Sequence, residues 1–324
     1  MAEEEKYLFG PVPSRRLGRS LGIDIVPFKT CSLDCIYCQL GRTTEKTVER
    51  RDYLAVKPVL DELKERLAQG MKADFITISG SGEPTLNSRL GEFIAGIKKI
   101  TNIPLAILTN GTLLYREDVR ADCAKADVVL PSLDAGDMQT FEKVNRPHGD
   151  ISIERLISGL CAFRKDYTGL VWLEVFLVEG LNTTADAVEK IKDAVEKIRP
   201  DKVQLNTAVR PTAESGIKKL DAERMQEIAA RLGQSCEVEV VTDFSQRPGG
   251  IENADQGVSE LHFGQHQKLQ TLLSMLKRRP CSLDDICSGL GLHRNEALKY
   301  LGHLQNRGDI DTEQRDGVVF FKAN

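Results

Sequence analysis

Leu21-Gly-Ile-Asp-Ile-Val-Pro-Phe-Lys-Thr-Cys31-Ser-Leu-Asp-Cys35-Ile-Tyr-Cys38 places a short apolar, β-branched run ahead of three cysteines within eight residues. Such a run reads as a buried strand, here over residues 22–26. The cysteines then lie in the loop at that strand's C-terminal end, the edge on which α/β barrels build their active sites. Soft thiolates at this density select an iron–sulfur cluster or zinc, and three ligands instead of four leave a coordination position open. An open position serves chemistry. The other reading of the spacing alone is a structural zinc ion completed by a distant Cys or His.

Outward from this stretch, β-branched runs alternate with amphipathic ones from residue 21 to 241, the pattern of βα units and a mostly parallel sheet. It predicts strands over 22–26, 74–79, 104–109, 127–132, 171–178, 202–206 and 237–241. Helices are predicted over 57–69, 89–99, 116–124, 152–164, 183–198 and 221–232, with Asn182 or Thr183 capping the helix that starts at 183. The fold class is α/β, an open partial (β/α)6 barrel over residues 1–242. Gly, Pro and small polar residues then crowd residues 243–258 into a linker. Residues 259–324 turn helical over 265–277, 282–289 and 294–305, then alternate over 309–312 and 318–322 across Asp316-Gly317. That order spells a winged helix.

Hydrophobic residues at 41% and charged residues at 28% of 324 are ordinary globular usage, enough to bury a sizeable core. A net charge of −4 excludes a globally basic nucleic-acid binder, so any polyanion must be met locally. Met1-Ala-Glu-Glu-Glu-Lys6 has no basic start followed by an apolar run, and no stretch reaches membrane-span length; a cytoplasmic protein with no membrane partner is expected. Eight cysteines with three clustered point to metal ligation in a reducing compartment, not to disulfides. Cys123, Cys161 and Cys236 read as isolated buried thiols. Cys281 and Cys287, placed with the second C-terminal helix, either pack or ligate a metal. The five histidines show no ligand spacing.

Cys-x3-Cys-x2-Cys with Tyr37 before the last cysteine resembles the signature of the radical S-adenosylmethionine (SAM) superfamily. Ser79-Gly-Ser-Gly-Glu-Pro-Thr85 is similar to that family's Gly-Gly-Glu segment, with Gly80, Gly82 and Glu83 at the matching positions. Thr109-Asn110-Gly111 and Ser132-Leu-Asp134 close the third and fourth predicted strands, on the same rim. The resemblance implies that Cys31, Cys35 and Cys38 bind three irons of a [4Fe-4S] cluster and that SAM chelates the fourth. The reduced cluster then splits SAM into methionine and a 5′-deoxyadenosyl radical. It also implies a cofactor site of Tyr37, Gly80, Gly82, Glu83, Asn110 and Ser132, and a flavodoxin or ferredoxin as electron donor. Asp134 belongs either to that site or to the cap of the next helix. Glu174, residues 177–182 and residues 204–210 resemble segments that meet adenine and substrate in relatives, which places Asn206 and Arg210 near substrate or in an ordinary ion pair. No catalytic residue is named by the resemblance.

Phe9-Gly-Pro-Val-Pro-Ser-Arg-Arg-Leu-Gly-Arg-Ser-Leu-Gly-Ile-Asp24, with Pro131-Ser-Leu-Asp-Ala135 and Asn145-Arg-Pro147, resembles the group that contains the wyosine-type tRNA-modifying synthases. Arg15, Arg16 and Arg19 would grip a phosphate, or else form an ion-paired loop. Wyosine-forming members carry a second cluster on N-terminal cysteines, whereas residues 1–30 hold none, so one cluster is expected and the substrate stays open. The winged helix would present residues 294–305 to nucleic acid (tRNA) or to a protein partner. From Glu260 onward nine Lys or Arg stand against eight Asp or Glu, a balance that argues against tight phosphate binding there. A further reading is an iron–sulfur, redox-responsive nucleic-acid-binding regulator.

Overall fold

A computed structural model describes residues 7–241 and 265–324. Residues 1–6 and the predicted linker at 243–258 lie outside the described residues, as does the start of the unit predicted from 259. Strands β1 (Leu8–Ser14) and β2 (Gly18–Ile23) form an antiparallel hairpin, and β3 (Thr30–Cys31) pairs with β4 (Glu45–Lys46) in the segment that follows. Then come α1 (Val56–Ala68), β5 (Phe75–Ile78), α2 (Leu90–Ile100), β6 (Leu105–Thr109), α3 (Glu117–Cys123) and β7 (Val128–Pro131). The remainder of the sheet region is α4 (Met138–Asn145), α5 (Ile153–Asp166), β8 (Leu170–Leu177), α6 (Ala185–Ile198), β9 (Lys202–Thr207), α7 (Ala222–Leu232) and β10 (Val238–Val240).

The main sheet runs in the order β1-β2-β5-β6-β7-β8-β9-β10 and is parallel from β2 onward. Its seven parallel strands are those read from the sequence. β1 is an addition: Gly10, Pro11 and Pro13 hide it from a strand pattern, and prolines, which cannot donate to a ladder, are tolerated at a sheet edge. α4 was also not predicted. It is short, opened by Asp137, whose side chain accepts from Thr140 N, and closed by Arg146 in the left-handed region at φ 46°. Thr184, and not Asn182 or Thr183, caps α6 through Ala187 N.

Side chains alternate across a strand, and the two faces of the sheet differ. Ile76, Ile78, Ile107, Val129, Leu173, Val175, Val203 and Leu205 are fully buried in the main core with residues of the helices. On the other face Ala106, Val128 and Leu130 bury with Leu17, against Phe75, Leu108 and Trp172. Towards the C-terminal ends of the strands this second, inner face turns polar, with Ser132, Glu174 and Asn206 in the same alternating register.

The C-terminal unit holds α8 (Gln265–Arg278), β11 (Cys281–Ser282), α9 (Leu283–Leu290), α10 (Arg294–Asn306), β12 (Ile310–Arg315) and β13 (Val318–Ala323). Its sheet has the order β11-β13-β12. Ser282 and Asp285 form a reciprocal capping box on α9, which ends at Gly291 in the left-handed region. Cys281 therefore sits in β11, fully buried, and not on the helix with Cys287. The unit's core of Leu272, Met275, Ile286, Leu301 and Phe321 takes in Phe9 and Val12 of β1. On the opposite flank Arg210 Nη2 meets Asp285 Oδ1 at 3.1 Å, and Arg315 donates to the carbonyls of Arg210 and Ile217. One unit thus holds on to β1 and to the segment after β9, on the two flanks of an open sheet. No helix among the described residues is long and apolar enough to cross a membrane.

Candidate active site

β2 delivers the chain to a loop that is tied down along its length. Lys29, at φ 58° and buried, donates from its backbone to Ser81 O and from Nζ to Cys38 Sγ at 3.0 Å. Asp34 N and Ile36 N donate to the carbonyls of Asn145 and Val144 at the end of α4, both at 3.0 Å. Asp34 Oδ1 accepts from Thr43 N at 2.7 Å. The loop is therefore built, not draped.

Cys31, Cys35 and Cys38 are free thiols of intermediate exposure, and each sulfur faces an N–H donor. Asn110 Nδ2 lies 3.5 Å from Cys31 Sγ, Asn145 Nδ2 lies 3.4 Å from Cys35 Sγ, and Lys29 serves Cys38. Burial, with Glu83 nearby, pushes the Cys31 thiol up to about 12. Burial and Asp134 likewise raise Cys35 well above the usual thiol range. Such thiols are not reactive nucleophiles on their own, since the thiolate is the reactive form; a bound cation reverses the balance and holds them deprotonated.

The segment after β5 packs against this loop. At Gly82 a Cβ would collide with the carbonyl oxygen of Thr30, and at Gly80, with φ 131°, it would meet the Asp24 carboxylate. The glycines thus admit the cysteine loop and Asp24. We expect Gly82→Ala to displace the loop, to cost on the order of 1–3 kcal/mol of stability in urea unfolding, and to lower iron uptake in parallel. Iron uptake equal to that of the parent would show that the close packing at Gly82 does not position the cysteines.

Glu83 is buried, and its carboxylate accepts from Thr85 N at 3.0 Å, Thr85 Oγ1 at 2.6 Å, Thr109 Oγ1 at 2.6 Å and Asn110 N at 2.7 Å. Burial raises its pKa against the pull of these donors. Asn110 Nδ2 donates to Ser32 Oγ at 2.9 Å while its Oδ1 accepts from Thr112. Tyr37 stacks on Phe176 with ring centroids 3.9 Å apart and donates its hydroxyl to Asp134. Asp134 also accepts from Asn145 Nδ2 at 2.7 Å and Phe176 N at 2.8 Å. It caps no helix, since Asp137 opens α4. Burial raises the Asp134 carboxyl, with these donors opposing.

The predicted residues Tyr37, Gly80, Gly82, Glu83 and Asn110 therefore gather around the cysteine loop, several of them with their polar atoms already engaged. Ser132 lies on the same edge, its N bonded to Thr109 O at 3.1 Å and its backbone bridged to Glu174. The three leader arginines do not form one grip. Arg19 is exposed at the start of β2, 3.8 Å from Asp74, whereas Arg16 reaches Glu174 on the inner face. Lys29 and Asn145 were missed as site residues; Asn145 was within a quoted motif, and Lys29 gave no signal of its own.

The Radical SAM superfamily matches this chain over residues 25–194. A protein named GTPase Obg from Brachyspira hyodysenteriae is 37% identical over 98% of this chain, which spans only 45% of that protein's length. The UPF0026 protein MJ1312 of Methanocaldococcus jannaschii is 31% identical over 98% of this chain and 95% of its own length. Among solved structures, a radical SAM methyltransferase from Sphaerobacter thermophilus shares the fold with a TM-score of 0.53. It is 16% identical and covers 68% of this chain and 65% of its own. A cysteine loop above β2, a parallel sheet that carries its site at the C-terminal edge, and these matches make the chain a member of the radical SAM superfamily, among its UPF0026 proteins.

Proposed function

We propose that this chain is a radical SAM enzyme: it reductively cleaves SAM at a [4Fe-4S] cluster held by Cys31, Cys35 and Cys38, then abstracts hydrogen from a substrate on the inner face of the sheet. The observation that carries the reading is that each of the three clustered sulfurs faces its own N–H donor. Hydrogen bonds to sulfur are among the means by which proteins stabilise such clusters and set their potentials. Among the described residues no three His, Cys, Asp or Glu side chains lie close enough to share one ion; ligands that each take a different iron need no such convergence. The donor set fits the cluster.

When bound, the cluster supplies the electron that splits the sulfonium and yields methionine with a 5′-deoxyadenosyl radical. The chain's own residues hold and shield. Lys29, Asn110 and Asn145 orient the sulfurs; Glu83 Oε2, with Asn110 N as its donor in the chain, keeps acceptor capacity for an ammonium; Ser132 offers its hydroxyl. The Tyr37–Phe176 stack covers the Ile36 side of the loop with apolar surface. A flavodoxin or ferredoxin is the electron donor in this reading, and the residues divide into a core at 1–242, a linker at 243–258 and a winged helix at 259–324. The attachment of Arg315 to the segment after β9 favours a wing that faces protein over one that enters a nucleic-acid groove.

Protein reconstituted anaerobically with iron and sulfide, then reduced with dithionite, is expected to release 5′-deoxyadenosine from SAM. A reduced, iron-loaded protein that releases none would overturn the reading in favour of an iron-responsive regulator. Deuterium carried from labelled tRNA into 5′-deoxyadenosine would assign the substrate to the wyosine-type alternative.

A further inference from the structure

We infer that Arg16, Arg210 and Arg279 form a binding site for the phosphate group of a small substrate, between the inner face of the sheet and the C-terminal unit. The three come from separate places: the turn between β1 and β2, the segment after β9, and the residue after α8. Arg16 contacts Glu174 of β8; Arg210 reaches Asp285; Arg279 Nη2 donates to Pro13 O at 3.2 Å. They lie close enough that the charges of Arg15, Arg210 and Arg279 all act on Arg16, which burial in the first place holds down to about 9.

Two observations separate this cluster from an ordinary ion-paired seam. Among the described residues Glu174 and Asp285 are the two carboxylates that partner these guanidinium groups, so positive charge exceeds negative. The Nε atoms of Arg210 and Arg279 are moreover buried without a hydrogen-bond acceptor among those residues. A buried donor left unmade is costly, and planar guanidinium forks match the oxygens of phosphate. The excess charge suits an anion. The side chains of Arg16 and Arg210 are only 20% and 8% exposed, whereas a polynucleotide backbone needs an open groove; the group the inference assigns is therefore a single terminal phosphate.

The inference rests on the inner face as the place of the substrate, but its test needs no SAM, so its failure is distinct from a failure to release 5′-deoxyadenosine. Equilibrium dialysis of the reconstituted protein against labelled inorganic phosphate is expected to show one saturable site. Arg210→Gln and Arg279→Gln should each weaken it about tenfold or more, and Arg210→Lys, which keeps charge but loses the fork, should fall between. Arg294→Gln, at an exposed residue paired with Asp284, should leave binding unchanged. Circular dichroism melts identify any variant that fails to fold; for Arg210 the Lys variant then decides. Absence of saturable phosphate binding by the parent protein would overturn the site, as would folded Arg279→Gln and Arg210→Lys variants that bind like the parent. Equal binding of succinate, or displacement of phosphate by an RNA decamer without terminal phosphates, would overturn the phosphate assignment.

Discussion

Cys31→Ala, Cys35→Ala and Cys38→Ala should each abolish 5′-deoxyadenosine release, by at least about a hundredfold, and should leave the reconstituted protein with little iron. The expectation follows from the number of ligands. In the proposed cluster three sulfurs hold three irons, so the loss of one removes a primary bond, whereas the loss of an outer partner costs about 10–100-fold in metal affinity. Lys29→Met, which removes only the donor to Cys38, should therefore fall short of Cys38→Ala. Cys123→Ala and Cys281→Ala serve as controls: both thiols are fully buried within the cores, and their loss should cost about 1 kcal/mol of stability with iron content unchanged. Iron per chain and product per chain check the series. A folded Cys35→Ala variant that still cleaves SAM would sink the cysteine assignment.

What the sequence made legible was whatever local periodicity encodes. Seven parallel strands announced themselves as apolar β-branched runs, and six helices by their amphipathic spacing. β1 did not, because its prolines and Gly10 read as loop, although an edge strand that packs Phe9 and Val12 into the C-terminal unit can hold them. α4 did not, because it is only eight residues long.

The candidate residues were legible as neighbours of the cysteine loop, but their contacts were not. Asn110 and Tyr37, expected to face SAM, spend their polar atoms on Ser32, Thr112 and Asp134. Such pairings join segments far apart in the chain, and no local pattern foretells which polar residue will meet which. Arg16 and Arg19 show the same limit. They are three residues apart, yet the start of β2 at Gly18 leaves Arg16 in the turn and puts Arg19 in the strand beside Asp74.

Asp134→Ala should unfold the protein well before the parent, at a cost of about 3 kcal/mol or more and a fall in Tm of roughly 10 °C. Three donors converge on this carboxylate, from Phe176 N, Asn145 Nδ2 and Tyr37; alanine removes the acceptor of the first and the last and leaves Asn145 Nδ2 its weaker contact with the Cys35 sulfur. Asp134→Asn separates stability from cluster binding. Its Oδ1 still accepts from Phe176 N, but its amide NH2 meets the NH2 of Asn145. The remedy lies within Asn145 itself, whose Oδ1 is buried without a donor among the described residues. A flip of that amide pairs its oxygen with the new NH2 and carries Nδ2 away from Cys35, so the sulfur at 3.4 Å loses its N–H. Urea unfolding of Asp134→Asn should therefore stay within about 1 kcal/mol of the parent, while iron affinity falls about 10–100-fold. Thermal melts and iron titrations on the two variants test both halves. Asp134→Asn protein that loads iron as the parent does would show that the donor to Cys35 is not what holds that sulfur ready.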